Sequence, residues 1–262
     1  MANPFEQQRP IEGVKKIIAI SSGKGGVGKS TISCNLALSL VKAGYKVGLL
    51  DADIYGPSIP RMFGSLNQRP SVTSQQRIEP LVRYGLKLMS MGFLIEENSA
   101  VVWRGPMLFK AMEQFFRDVE WGELDFMLID LPPGTGDVQL SIAQKVPVNG
   151  AIAICTPQNV ALADVKKSLD MFKRVNVPVF GLIENMAYFR APGTNEKMTL
   201  FPRGELEKYM DFEKIEKLGE IPFFTPVAEG AEIGIPIVES KPEDPISQTF
   251  ANIAKKIVEK CS

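Results

Sequence analysis

Gly23-Lys24-Gly25-Gly26-Val27-Gly28-Lys29-Ser30-Thr31 is the stretch on which the fold turns. The frame Gly23-x-x-x-x-Gly28-Lys29-Ser30 has the spacing of a phosphate-binding Walker A loop. An apolar strand-like run, Ile17-Ile18-Ala19-Ile20, precedes it, and a helix-like run opens at Lys29. Strand, glycine loop and helix in that order aim backbone N–H groups and a helix N-terminus at one anion. Glycines at 23, 25, 26 and 28 reach backbone conformations closed to other residues and leave their amides bare toward phosphate oxygens. The loop predicts a nucleoside triphosphate site, contacted by all nine residues, with Lys29 on the β- and γ-phosphates and the Ser30 hydroxyl on Mg²⁺. Lys24 is a second lysine that the frame does not require.

Outward from the loop, apolar runs alternate with amphipathic ones. Strands are predicted at 16–21, 47–51, 125–130, 150–155, 178–184 and 215–221, and helices at 29–43, 106–118, 137–145, 159–174 and 244–260. That alternation predicts an α/β fold, a mainly parallel sheet with helices on both faces. Residues 64–103 break the rhythm and are read as a hairpin-like insertion in a single domain spanning 1–262, with 1–13 flexible. The last helix puts Ile246, Phe250, Ile253, Ala254, Ile257 and Val258 on one face, opposite Lys255, Lys256 and Lys260. It is expected to close the fold against the sheet rather than to anchor a membrane.

Phosphoryl transfer needs carboxylates where strands end, because ligands bind at that edge of an open α/β sheet. Asp51 and Asp53 follow Leu49-Leu50, and Asp130 follows Met127-Leu128-Ile129. Asp130 reads as the carboxylate that holds Mg²⁺ through water, and Asp51 as support for the metal shell. Asp53 is the candidate to orient or deprotonate the attacking water, and is counted with the metal group. Gly134, in Leu131-Pro132-Pro133-Gly134-Thr135-Gly136-Asp137, is expected to offer its backbone N–H to the γ-phosphate.

The chain has 262 residues, 45% of them hydrophobic, enough for a substantial core in one α/β domain. Thirty basic and thirty acidic residues balance, so nothing global favours nucleic acid or an anionic membrane as a partner. There is no histidine, which excludes histidine acid–base catalysis and histidine ligation. Three cysteines, Cys34, Cys155 and Cys261, stand far apart and form neither a disulfide framework nor a metal knuckle. Cys34 and Cys155 fall at core positions; Cys261 is expected to be the accessible one. No apolar run approaches the ~18 residues of a membrane span, and Met1 to Gly13 lacks a signal-peptide core, so a cytoplasmic location is expected.

Lys24-Gly25-Gly26-Val27-Gly28-Lys29-Ser30-Thr31 resembles the deviant Walker A loop of the MinD/ParA/nitrogenase-iron-protein class. That resemblance implies a three-layer P-loop NTPase fold and a homodimer enclosing two ATP molecules. Lys24 then crosses to the partner's nucleotide, as an arginine finger does. Longer segments narrow the likeness: Asp51-Ala-Asp-Ile-Tyr-Gly-Pro-Ser-Ile-Pro, Trp103-Arg-Gly-Pro-Met, Trp121-Gly-Glu-Leu-Asp-Phe, Glu184-Asn-Met and Gly219-Glu-Ile-Pro resemble the Mrp/ApbC family of P-loop ATPases. The likeness runs from about Val14 to the C-terminus. It implies slow ATP hydrolysis, Asn185 on the adenine edge, and the chain around Pro222 beside the base. It also implies work in iron–sulfur cluster assembly, where a bridging cluster is held by a CxxC from each subunit. Here the matching stretch is Ala191-Pro192-Gly193-Thr194, which offers no thiolate, so no cluster ligand is assigned. The expected partners are a second copy and an iron–sulfur client or a cysteine-bearing paralogue.

Overall fold

The apolar runs become strands whose alternate residues feed two separate cores. In β1 (Val14–Ser22), Ile18 and Ile20 point into one, and Ile17 and Ala19 into the other. β2 (Val47–Asp51) divides Leu49 from Leu50 in the same way. A strand that buries both faces must be covered on both, which makes three layers. The computed structural model describes residues 8–54, 56–94, 105–190, 196–201 and 204–262.

The remaining strands of the main sheet are β3 (Leu81–Arg83), β4 (Leu86–Ser90), β5 (Leu124–Asp130), β6 (Gly150–Cys155), β7 (Val179–Asn185) and β8 (Lys217–Ile221). Among the described residues these eight strands lie in the order β8-β7-β6-β1-β5-β2-β4-β3. All neighbours are parallel except the β3–β4 pair. Helix α1 (Lys29–Lys42) shares one core with the last helix through Leu36, Leu40, Phe250, Ile253 and Ile257. On the other face lie α2 (Gly105–Arg117), α3 (Asp137–Lys145) and α4 (Asn159–Arg174), contributing Phe115, Ile142 and Phe172. The shorter α5 (Leu206–Glu213) buries Leu206 and Met210 against Leu162 and Leu182, and α6 (Thr225–Ile233) precedes the closing helix α7 (Pro245–Cys261).

Two stretches differ from their sequence reading. The hairpin expected within 64–103 exists as β3–β4, but β4 is an inner strand of the main sheet, hydrogen-bonded to β2 with Ser90 opposite Asp51. Its Leu86, Leu88 and Met89 are fully buried, which fixes it there. Residues 95–103 lie outside the described residues. Within the segment read as flexible, residues 8–13 are held down: Ile11 is buried, the Arg9 N–H donates to the Lys145 carbonyl at 3.0 Å, and Arg117 donates to the Pro10 carbonyl at 2.6 Å. Residues 1–7 lie outside the description, as do Ala191–Thr194. No helix among the described residues is long and apolar enough to cross a membrane.

Candidate active site

β1 lies between β5 and β6, so the loop leaving it opens at the point where the strand order reverses, beside the carboxyl ends of its neighbours. Gly26 and Gly28 take the left-handed conformation, with φ of +78° and +81°, and Gly28 caps α1. The loop lines a cavity of about 220 Å³ together with Asp53, Ser58 and Pro133. Lys24, Gly25, Gly26, Gly28, Lys29, Ser30 and Thr31 all face this cavity. Gly23 and Val27 do not, and the Val27 side chain is buried in the core beneath.

Asp130 is the centre of the site. Register across β5 places it opposite Ile20 of β1 and Asp51 of β2. Lys29 Nζ lies 2.8 Å from Asp130 Oδ2, with the two side chains 6% and 0% exposed. The Ser30 hydroxyl donates to the same oxygen at 2.6 Å, and the Ser33 hydroxyl donates to Oδ1 at 2.6 Å. Ser33 escaped the sequence reading. It stands one helical turn beyond Ser30, and that spacing alone puts both hydroxyls on one face.

Asp51 is also fully buried, and its oxygens are spent on its own loop and on Ser90 of β4. Oδ1 accepts the Asp53 N–H at 3.1 Å; Oδ2 accepts the Ile59 N–H at 3.3 Å and the Ser90 hydroxyl at 3.0 Å. Burial, and next the nearby Asp130 charge, push the Asp51 carboxyl up to about 7. Ser90 was not singled out in the sequence, because its place beside Asp51 depends on β4 joining the sheet. Asp53 is half-buried and accepts the Gly56 N–H at 3.3 Å, closing a turn at the cavity rim.

Lys24 extends along the other rim. Its carbonyl accepts the Ser22 hydroxyl at 2.9 Å, and its Nζ stands 3.5 Å from Gln158 Oε1, just before α4. The Gly134 N–H donates to the Ser22 carbonyl at 2.9 Å, so facing a phosphate requires that bond to open. Asn185, at the end of β7, donates through Nδ2 to the Val27 carbonyl at 2.8 Å. The structure therefore brings Asn185 beneath the phosphate loop. Pro222 lines a different cavity, of about 200 Å³, with Tyr188, Arg190 and Phe223.

The hydroxyl of Ser30 and the carboxylate of Asp130 are hard oxygen donors side by side, suited to Mg²⁺ that keeps part of its water shell. Among the described residues no three Asp, Glu, Cys or His side chains converge as a protein-only metal site. That fits an ion shared with phosphate oxygens. Two of the three cysteines are buried. Cys34 is buried with Sγ 3.6 Å from Met62 Sδ, and burial pushes its thiol well up. Burial raises Cys155 to about 12, and Cys261 is half-buried at the end of α7.

Comparison with known proteins agrees with this geometry. The ParA family model described as NUBPL iron-transfer P-loop NTPase matches residues 13–258. An iron-sulfur cluster carrier protein of Aquifex aeolicus is 50% identical over 253 residues, 96% of this chain and 70% of the relative. The iron-sulfur cluster transfer protein NUBPL of Mus musculus is 44% identical over 260 residues, 98% of this chain and 81% of the relative. Among solved structures, a nucleotide-binding protein of Archaeoglobus fulgidus in complex with ADP superposes with a TM-score of 0.77 at 37% identity, covering 94% of each chain. The cell division ATPase MinD of Pyrococcus furiosus, at 24% identity and a TM-score of 0.68 over 93% of this chain and 98% of its own, shares the fold. With its phosphate loop, its buried Asp130 and a match over nearly its whole length, the chain belongs to the ParA family of NUBPL-type iron-transfer P-loop NTPases.

Proposed function

We propose that the protein is a Mg²⁺-dependent ATPase that works in the cytoplasm as a homodimeric switch for iron–sulfur cluster delivery. The observation that carries this reading is the convergence of Lys29, Ser30 and Ser33 on Asp130 at the foot of the loop cavity. ATP phosphates entering the cavity meet the bare N–H groups of Gly25 and Gly26 and draw Lys29 off Asp130. With Lys29 withdrawn, the Asp130 carboxylate and the Ser30 hydroxyl would hold Mg²⁺, which would supply charge neutralisation at the phosphoryl group. Asp53 orients the attacking water from the rim, while Asp51 organises the loop that carries it. Gly134 reports the γ-phosphate through its N–H. Asn185 braces the loop with Nδ2 and has Oδ1 left to accept from the adenine amino group, with the chain near Pro222 beside the base.

Lys24, at the exposed rim, is the residue that reaches the partner's nucleotide when two copies close. In wild-type protein we expect slow hydrolysis that falls on the order of 100-fold in Lys29→Ala. Hydrolysis unchanged by that substitution overturns the ATPase reading. An Asp53→Ala variant with ATP should sediment as a dimer, and a persistent monomer overturns the dimer.

The placement of the cysteines favours a second reading of the same switch: a nucleotide-gated adaptor that binds an iron–sulfur client or a cysteine-bearing paralogue without holding a cluster. Anaerobic incubation with iron and sulfide separates the two. Stoichiometric iron lost on Cys261→Ser supports carriage by an unconventional site; background iron supports the adaptor.

A further inference from the structure

Gln139 sits in the first turn of α3 and is 1% exposed. Its Nε2 donates across seven residues to the carbonyl of Pro132, while its Oε1 is buried with no hydrogen-bond partner. A buried amide oxygen left unpaired is uncommon in a native fold and marks a place that can rearrange. The loop it grips is singular too. Leu131 N–H donates to the Ile20 carbonyl at 2.9 Å, and Gly134 N–H to the Ser22 carbonyl at 2.9 Å. Between them Pro132 and Pro133 have no N–H to donate. The diproline is therefore zipped to β1 at both ends, and the Gln139 amide holds its middle. The helix that follows has no side-chain cap at Gly136, and among the described side chains of its first turn Gln139 ties helix to loop.

We propose that Gln139 is the positioning residue that carries nucleotide state from the Pro132–Gly134 loop into helix α3. The proposal rests on the reading that the adjoining cavity binds ATP. When the Gly134 N–H leaves Ser22 for a phosphate oxygen, the diproline swings as a stiff unit and the Pro132 carbonyl moves with it. Gln139 follows that carbonyl, and the first turn of α3 follows Gln139. The moved helix re-sets the apolar seam it forms with α2, where Val138 and Ile142 meet Phe109 and Met112. Phe109 stands exposed at that seam, at 38%, so the change is presented at the surface.

The test is amide hydrogen exchange on the full chain, with and without Mg²⁺ and a non-hydrolysable ATP analogue, alongside calorimetric nucleotide titration. In wild type both 131–136 and 137–145 are expected to change exchange on binding. Gln139→Met keeps the volume but removes the donor and the orphan oxygen together. In that variant the loop should still respond and the helix response should be lost, with thermal stability held within about 3 °C. If Gln139→Met does not fold, Gln139→Leu serves instead, since it too removes both the donor to Pro132 and the orphan oxygen. A helix response retained in the variant overturns the coupling, as does a wild-type loop that binds nucleotide without responding. A wild-type protein that binds no nucleotide overturns the active-site reading first, and the calorimetric titration shows that outcome separately.

Discussion

Lys29 Nζ lies 2.8 Å from Asp130 Oδ2 with only 6% and 0% of the two side chains exposed, so the phosphate loop closes on an internal ion pair before any nucleotide arrives. Removing one member of a buried pair strands the other. Lys29→Met is therefore expected to destabilise nucleotide-free protein by about 2–3 kcal/mol, with the two serine hydroxyls partly sheltering Asp130. Urea unfolding of Lys29→Met, Asp130→Asn and the double variant gives the coupling directly. Additive costs would mean that the pair does not hold the site together.

Asp51 sets a pH dependence of its own. Burial, followed by the Asp130 charge, raises it from 3.8 to about 7. Between those values the folded protein keeps a proton that the unfolded chain has released. Stability is therefore greatest below the lower value, falls as pH rises through the window, and is level above it. Asp51→Asn needs no proton and should remove a slope worth roughly 2–4 kcal/mol across the window. Unfolding free energies at several pH values check this, and parallel curves for the two proteins would refute it.

Thiol counting gives a sharper reading of the cysteines. Cys34 and Cys155 are buried with raised thiols, and Cys261 is half-buried. A charged aromatic disulfide reagent should titrate only Cys261 in native protein and all three cysteines in denaturant. Fast native reaction at Cys34 would show that α1 opens.

Lys217 Nζ holds three carboxylates, with Glu220 at 2.8 Å and Glu184 and Glu207 at 3.2 Å each. Burial alone would lower its pKa, but Glu220 and Glu184 outweigh that and hold it well above the usual lysine value. Glu184 is 5% exposed and pairs with this lysine. Lys217→Met should cost about 1–3 kcal/mol, and Glu184→Gln in the same chain should restore part of it. Chemical denaturation measures both.

Asn185→Ala removes the amide that braces Val27 and the oxygen proposed for the adenine amino group. Affinity for ATP and GTP should fall together by about tenfold through loss of the brace, and the preference for ATP should shrink as well. Competition binding with both nucleotides resolves the two effects. An unaltered preference would leave Asn185 as a brace alone.

Much of this architecture was legible from periodicity. The runs at 16–21, 47–51, 125–130 and 150–155 became strands because each buries residues on both faces, and the phosphate loop announced itself by spacing. β4 was harder to read: Leu86-Lys87-Leu88-Met89 is short, and its neighbour β2 lies over thirty residues away, so its place in the sheet is set by tertiary packing. The aims of polar side chains were not legible at all. That Asp51 spends its oxygens on Ser90 and Ile59, that Asn185 reaches under Val27, and that Gln139 grips Pro132 are facts of convergence between distant segments. Sequence spacing reports only which residues share a face of one element.

Gly23, Gly25 and Gly28, alike in the sequence, divide into two kinds once their surroundings are compared. A Cβ on Gly23 would sit 2.3 Å from the backbone of Asp164, and one on Gly28 would sit 2.3 Å from Asn185 Nδ2. Nothing lies within 4 Å of the same position on Gly25, whose backbone is not left-handed. The motif thus carries two independent constraints, one on assembling the chain and one on what approaches it from outside. A selection for soluble expression alone would reject side chains at 23 and 28 yet accept alanine at 25. The last glycine would then be kept only by whatever comes to rest on it, be it a phosphate or another copy of the loop.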